Sequence, residues 1–213
     1  MGEAVSPKRT MRALLILAAL ALPASLFAAA PPNPGDTQGR NSLAGQLLIA
    51  SPSMGDPRFQ HTVLVMVRHN RGGAMGVVIN RPLGEQPVAR LLEALGDKGK
   101  GATGTVRIFV GGPVQLELGL VLHSTDYRRP GTLDIGGRLA MTASREIFRD
   151  IAANAGPKRS LIAFGYAGWG PGQLEGELAQ NAWYTAPLDP QLVFDEDRDK
   201  VWERAMQRRT QDL

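Results

Sequence analysis

The sequence predicts an α+β fold for residues 43–213. Short apolar, β-branched runs follow one another along the chain, and helical patterns are inserted singly between them. A doubly wound parallel sheet would require strict alternation of strands and helices. With 213 residues, 43% of them hydrophobic, the chain is large enough to bury a substantial core.

The first half of this domain is predicted to consist mainly of strands. β-branched and apolar runs predict strands over 45–50, 62–68 and 74–79. The turn sequence NRGG at 70–73 joins the last two into a hairpin. A loop is predicted at 51–59 and a connector at 82–87. Apolar residues at helical spacing predict a helix over 87–96.

The second half mixes strands with helices. Predicted strands cover 105–110, 118–123, 139–142, 160–166 and 182–187. Predicted helices cover 143–154, which Thr142 or Ser144 would cap, then 171–180, and a C-terminal segment from Asp197. Residues 126–137 are predicted to be irregular.

Residues 1–30 resemble a secretory signal peptide. Lys8, Arg9 and Arg12 precede the apolar run 13–22, and small residues surround a cleavage site predicted after Ala28. Residues 31–42 (PPNPGDTQGRNS) have the composition of a flexible linker. The sequence therefore predicts a periplasmic protein. An uncleaved anchor and an untranslated upstream stretch are the alternatives.

Charge and cysteine content exclude several kinds of function. The formal net charge is +4, of which residues 1–40 contribute +2, so the folded part is nearly neutral and has no strong nucleic-acid signal. The chain has no cysteine, which excludes disulfides, thiolate metal sites and cysteine nucleophiles. No cofactor is predicted.

The segment 164–175 (FGYAGWGPGQLE) is the strongest candidate site. Four glycines and two aromatics lie between a predicted strand and a predicted helix. Backbone N–H groups at such a turn can hold an anion. The spacing matches neither a P-loop nor a dinucleotide fingerprint. The alternative is a tight strand-to-helix corner packed by Tyr166 and Trp169.

The titratable residues do not form a recognisable catalytic set. His61, His69 and His123 lack the spacing of metal ligands, so no metal site is predicted. Glu175 and Glu177 are two residues apart and diverge by about 200° on a helix, which argues against a paired-carboxylate mechanism. No catalytic residue is assigned.

Several segments together resemble the AlgH/YqgE family of bacterial proteins. They are 45–50 (GQLLIA) with Pro52 and Met54, 56–59 (DPRF), Thr62 and Val63, 73–82 (GAMGVVINRP), 111–114 (GGPV), Leu122 and His123, 165–169 (GYAGW), 172–175 (GQLE), Asn181 and Trp183. The resemblance implies a single domain with a curved, barrel-like mixed sheet and flanking helices. It also implies a cytosolic location, whereas the N-terminus predicts export. It implies no established activity.

The leading hypothesis is a non-enzymatic binding or accessory module for a small anionic ligand or a protein partner. Its candidate ligand-binding residues are Asn80, Arg81, Gly165, Tyr166, Gly168, Trp169, Gln173 and Glu175. Arg81 either clamps an anion or pairs with a nearby carboxylate such as Asp56. One alternative is a hydrolase that uses His123 or His61 with Glu175. Another is a transcriptional regulator of the AlgH type.

Overall fold

The computed structural model describes residues 42–97, 99 and 102–210. The predicted signal peptide and the linker up to residue 41 lie outside these residues. Both therefore stay predictions.

Ten strands and five α-helices form within the described residues. The strands are β1 (Gln46–Ala50), β2 (Val63–Asn70), β3 (Gly73–Val78), β4 (Pro82–Pro87), β5 (Thr105–Val110), β6 (Val114–His123), β7 (Leu133–Ile135), β8 (Leu139–Thr142), β9 (Ser160–Trp169) and β10 (Trp183–Pro187). The helices are α1 (Val88–Ala94), α2 (Arg145–Ala152), α3 (Gln173–Ala179), α4 (Pro190–Val193) and α5 (Val201–Gln207), with a 3-10 turn at Arg198–Lys200 before α5.

The sheet is organised around β9. Its main path runs β10-β1-β2-β3-β9-β6-β8-β7, and β5 also pairs with β9, carrying β4 on its other side. The pairings are antiparallel except for β5 with β9, which is parallel. The fold is therefore α+β with a mixed sheet, as predicted.

The two margins of the sheet approach each other. A methyl group added at Gly45, before β1, would lie 3.4 Å from the Cα of Gly136, which follows β7. Arg138 donates a hydrogen bond across the same opening to the carbonyl of Leu188 at 3.2 Å. Since strands twist, a sheet of this length curls, and here it forms a half-barrel.

Three apolar clusters pack on this curled sheet. The inner cluster includes Phe109 and is closed by residues of α4 and α5. A second cluster lies between α3 and the outer face of β1, β2 and β3. The third lies between the sheet and the helices α1 and α2. Each helix thus covers apolar sheet surface that would otherwise face water.

Five local predictions were wrong. The strand predicted to begin at residue 118 is β6, which begins at Val114. The 82–87 connector is the strand β4, whose residues are all exposed and which pairs only with β5. The region predicted to be irregular contains β7. The strand predicted to end at Tyr166 continues to Trp169. Ser144 occupies the N-cap position of α2, but its side chain makes no capping hydrogen bond. The hairpin of β2 and β3 is confirmed.

Within the described part of the chain, none of the helices has the length and apolar character needed to span a bilayer.

Candidate functional site

The glycines of β9 and of the turn before β6 bring backbone against backbone. Gly165 has φ of +74°, and a methyl group there would lie 2.5 Å from the carbonyl oxygen of Gly112. A methyl group on Gly111 would lie 2.2 Å from the carbonyl oxygen of Gly165. Real Cβ atoms do not approach so closely, so only glycine fits at these positions. Part of the glycine enrichment thus serves packing within the sheet.

Gly165 also changes which side chains of β9 face inward. Before it, Leu161 and Ala163 belong to the inner cluster. After it, Tyr166 packs on the inner cluster and Trp169 lies in the cluster under α3. The register between β6 and β9 shifts at this point, which is the signature of a bulge. Tyr166 and Trp169 therefore lie on opposite faces of the sheet.

An exposed apolar surface adjoins this bulge. Leu116 is 60% exposed and Val114 is 36% exposed. A methyl group on Gly165 would lie 3.3 Å from Leu116 Cδ2, and one on Gly168 would lie 3.3 Å from the Tyr166 ring. These residues (Val114, Leu116, Gly165, Tyr166 and Gly168) are called the apolar patch below.

On the other face, the carboxylate of Glu177 holds two tryptophans. Its Oε2 accepts hydrogen bonds from the indole N–H groups of Trp169, at 2.9 Å, and Trp183, at 2.7 Å. Its Oε1 accepts one from the Gln173 amide at 3.0 Å. The two indoles meet edge to face, with centroids 5.9 Å apart. This network fixes α3 on β9 and β10, and it occupies Trp169 and Gln173.

Glu175 lies beside His69, at the end of the β2–β3 hairpin. His69 Nε2 is 2.9 Å from Glu175 Oε1, and the backbone N–H of Leu43 donates to His69 Nδ1 at 3.0 Å. In the neutral ring the proton is therefore on Nε2, which donates to the carboxylate. Hydrogen bonds from its own backbone N–H and then from His69 hold the pKa of Glu175 below its ordinary value.

This pair lacks the arrangement of a general base. His69 is 8% exposed at the side chain, and both ring nitrogens have partners within the protein. A base needs a free ring nitrogen within hydrogen-bond reach of the proton it removes. The hydrogen bonds instead join the residues before β1 to the hairpin and to α3.

Asn80 and Arg81 hold the loop between β1 and β2. Asn80 accepts from the Val63 N–H at 2.9 Å and donates to the His61 carbonyl at 2.8 Å. Arg81 donates to the Gln60 carbonyl at 2.9 Å. The expected pairing of Arg81 with Asp56 was wrong, because Asp56 pairs with Arg58 at 2.7 Å. That hydrogen bond from Arg58 lowers the pKa of Asp56, and the charge of Arg81 adds to the effect.

His123 and His61 do not contact Glu175 in the described structure. His123 is fully buried; its Nδ1–H donates to the Ser124 carbonyl at 2.9 Å, and Nε2 accepts from the Thr142 hydroxyl at 2.9 Å. Burial lowers the pKa of His123. His61 is exposed and packs edge to face on Trp202 at 4.6 Å. The histidine that does meet Glu175 is His69, which the sequence had not singled out for this role.

The eight candidate residues form three groups. Gly165, Tyr166 and Gly168 belong to the apolar patch, and Trp169, Gln173 and Glu175 surround α3. Asn80 and Arg81 lie beyond the opposite end of β3. Ala74, near the start of β3, pairs with Trp169, and about 20 Å of extended chain separates Ala74 from Asn80. That all eight residues bind one ligand stays a prediction.

Sequence reasoning missed Glu177 and the pair Val114 and Leu116. Helical spacing shows only that Glu177 diverges from Glu175, and in the structure that divergence points Glu177 at the two tryptophans. Leu116 alternates with polar neighbours, as any half-buried strand does. In the structure residues 114–117 are all exposed, and Gln115 among them has φ of +49°.

Together, the curled mixed sheet, the glycine bulge at its centre and the tryptophan pair under α3 define an α+β half-barrel protein. Among known families, the AlgH-like family model matches residues 47–213. The chain belongs to this AlgH-like family.

Relatives and solved structures agree with that placement. A UPF0301 protein of Jannaschia sp. is 48% identical over 169 residues, which cover 78% of this chain and 88% of the relative. The solution structure of AlgH from Pseudomonas aeruginosa is 44% identical, covers 79% of this chain and 89% of that one, and superposes with a TM-score of 0.69. A crystal structure from Corynebacterium diphtheriae, 22% identical with a TM-score of 0.59, shares the fold. It covers 80% of this chain and 87% of that one.

Proposed function

We propose that this protein is a non-enzymatic binding module whose partner is a polypeptide, and that the partner packs on the apolar patch. The observation that carries the proposal is the exposure of Leu116 and Val114 directly beside Gly165 and Gly168. Exposed apolar residues that cluster around a rigid strand are typical of protein-binding surfaces. The absence of a side chain at the exposed Gly168 leaves space beside the Tyr166 ring and a Val114 methyl group.

The polar candidate residues support binding over catalysis. Glu175, Trp169 and Gln173 have hydrogen-bond partners inside the protein. A hydrolase built on Glu175 would have to use His69, whose second nitrogen accepts from the backbone. Hydrolysis thus requires a rearrangement of residues 42–43, whereas binding at the patch requires none.

A small anionic ligand near Asn80 and Arg81 is the weaker form of the binding hypothesis. Both side chains already hold the loop before β2, so a ligand would compete with those hydrogen bonds. A transcriptional regulator has less support, because the folded part is nearly neutral. Salt-sensitive DNA binding in a gel-shift assay would favour it.

Site-specific photo-crosslinking tests the patch. A photoreactive phenylalanine derivative is placed at Leu116 and, as a matched control, at Leu133, which is 47% exposed on β7. We expect a discrete adduct from position 116 but not from position 133. The partner, identified by mass spectrometry and purified, should bind the wild type at least about tenfold more tightly than Leu116→Ser, since a buried leucine contributes about 1.5–3 kcal/mol.

Leu133→Ser should bind as the wild type does. Equal crosslinking at both positions, or a partner whose affinity Leu116→Ser leaves unchanged, contradicts the proposal.

We also propose that residues 1–30 direct export, on the strength of their basic, apolar and small-residue segments. Mass spectrometry of the protein from fractionated cells tests this. The expected product is a periplasmic chain that begins close to residue 29. A cytosolic chain that retains these residues contradicts it.

A further inference from the structure

Away from the apolar patch, three arginines gather where the 3-10 turn and α4 close the inner cluster. Arg198 lies over the Phe109 ring, 4.8 Å from its centroid, and Nη1 donates to the Val193 carbonyl at 2.8 Å. Nη1 also lies 3.4 Å from the Ile79 carbonyl. Within the described residues Nε of Arg198 is buried without a hydrogen-bond partner, and no carboxylate forms an ion pair with this side chain.

The second arginine, Arg107, lies on the same strand as Phe109. The two residues are two positions apart on β5, so their side chains leave the same face of the strand. Arg107 contacts the carboxylates of Glu196 at 3.1 Å and Glu85 at 3.6 Å. The Glu196 side chain is 87% exposed, so this contact can open without unpacking the core.

The third arginine, Arg159, lies over the Phe194 ring at 4.7 Å. Phe194 follows Val193, whose carbonyl accepts from Arg198. In the described part of the chain Arg159 has no carboxylate in ion-pair contact. Its backbone is fixed by Ser124, whose N–H donates to the Arg159 carbonyl at 3.0 Å.

Arg198 adjoins both of the other arginines through these contacts: Phe109 lies on the strand of Arg107, and Val193 precedes the Phe194 ring that Arg159 covers. Burial lowers the pKa of Arg198, and the charges of Arg107 and Arg159 lower it further, although Glu196 and Asp195 oppose them. Asp195 is itself paired with Arg204. The positive charges of Arg159 and Arg198 are therefore not balanced by carboxylates in contact with them among the described residues. Such an arrangement is stabilised when an anion enters.

We propose that Arg107, Arg159 and Arg198 form a binding site for a small phosphate-bearing anion, and that Glu196 swings away from Arg107 when the anion binds. A phosphate dianion has enough oxygens to accept from several guanidinium groups at once, which a single carboxylate does not. The aromatic rings of Phe109 and Phe194 hold two of the three arginines in place before the anion arrives. The site is independent of the apolar patch.

Arginine side-chain NMR tests the proposal with inorganic phosphate as the probe. Phosphate is titrated into the purified protein at constant ionic strength, with chloride as the replaced anion. We expect saturable shifts of the Nε–Hε signals of the three arginines, because guanidinium donors respond directly to a bound oxyanion. The signal of Arg71, exposed in the β2–β3 turn, should stay in place.

Variants with a matched control locate the site. Arg107→Gln and Arg159→Gln should each weaken phosphate binding about tenfold, since a charge-assisted hydrogen bond contributes about 1.5–3 kcal/mol. Glu196→Gln should strengthen it by a few fold, because the competing carboxylate is gone. Arg71→Gln removes the same charge elsewhere and should leave the affinity within about twofold. All four positions are at least partly exposed, so the variants are expected to fold.

Three outcomes overturn the proposal. The first is an absence of saturable shifts at the three arginines. The second is a loss of affinity in Arg71→Gln equal to that in Arg107→Gln, which would indicate nonspecific charge attraction. The third is citrate binding more tightly than phosphate, which would assign the arginines to carboxylates. Unchanged phosphate affinity in Glu196→Gln would overturn the movement of Glu196.

Discussion

In the first half of β9, residues 160–164, apolar side chains pack into the clusters on the two faces of the sheet, whereas in the second half, residues 165–169, glycine brings backbone unusually close to backbone. Leu161 and Ile162 are 1% and 2% exposed and belong to two different apolar clusters. A Cβ on Gly165 would instead lie 2.5 Å from the carbonyl oxygen of Gly112 and 2.9 Å from that of Val114. One strand thus uses two kinds of packing.

The difference shows that a glycine-rich segment does not by itself identify a ligand site. Apolar side chains tolerate volume-conserving changes, since neighbouring residues can shift to accommodate them. A backbone contact leaves no room for any Cβ, and nearby atoms cannot rotate away. Substitutions in the second half should therefore be far more damaging than their size suggests.

A glycine series separates backbone strain from steric clash. Gly165→Ala should lower the free energy of unfolding by about 3 kcal/mol or more, because it combines positive φ with overlap against two carbonyls. Gly172 has φ of +75° but open space around it, so Gly172→Ala should cost only the strain, about 1–2 kcal/mol. Urea unfolding measures both.

Gly176, inside α3 and also in open space, completes the series. Gly176→Ala should raise the free energy of unfolding by about 0.5–1 kcal/mol, because alanine loses less conformational entropy in a helix. If Gly165→Ala costs no more than Gly172→Ala, the close backbone contact is not what requires glycine there.

Substitution of the two glutamates of α3 should give the next largest change in the free energy of unfolding. Glu177→Gln should lower the free energy of unfolding by about 2 kcal/mol. An amide has a single acceptor oxygen, so if that oxygen accepts from both indoles, its NH2 group faces the donating amide of Gln173, and the hydrogen bonds also lose the carboxylate charge. Glu175 is 56% exposed and keeps an acceptor oxygen for His69 after substitution. Glu175→Gln should therefore cost less than about 1 kcal/mol.

Tryptophan fluorescence during denaturation reports both variants, and Trp169 and Trp183 should become more mobile only in Glu177→Gln. Equal losses of stability in the two variants would mean that the indole hydrogen bonds contribute no more than the exposed His69 contact.

The smallest expected effect on stability is the pH dependence caused by His123. This residue pairs with Ser160, in the first half of β9. Burial lowers its pKa in the folded protein below the ordinary 6.5, so the unfolded chain takes up the proton first. Stability should therefore fall as pH drops below 6.5, until the folded-state pKa is reached, by at most about 1.4 kcal/mol per pH unit.

Glu175, beside the second half, behaves differently. Its pKa is lowered from 4.5, so its contribution is lost only as pH falls below that value. NMR titration of the imidazole C–H signals measures the pKa of His123, and the variant His123→Gln assigns its signal. A His123 midpoint at or above 6.5 would show that burial does not disfavour the charged ring.

Much of the fold was predictable because its signals are local. Apolar and β-branched runs predicted β2 and β5, and the NRGG turn predicted the hairpin. β4 was not predictable, since a strand with two prolines and a glycine exists here only through its pairing with β5. The candidate site was predictable only in part. Spacing showed that Glu175 and Glu177 diverge, but not that each would meet a different partner.

The sequence by itself determined the α+β class, the family and the identity of the unusual glycines, because these follow from residue types and their order. Only the tertiary structure decided what those residues contact. It assigned Gly165 to a backbone contact, Glu177 to two indoles and His69 to Glu175, and it left Leu116 exposed. The physical reason is distance along the chain: His69 and Glu175 are 106 residues apart, and only the curled sheet brings them within a hydrogen bond.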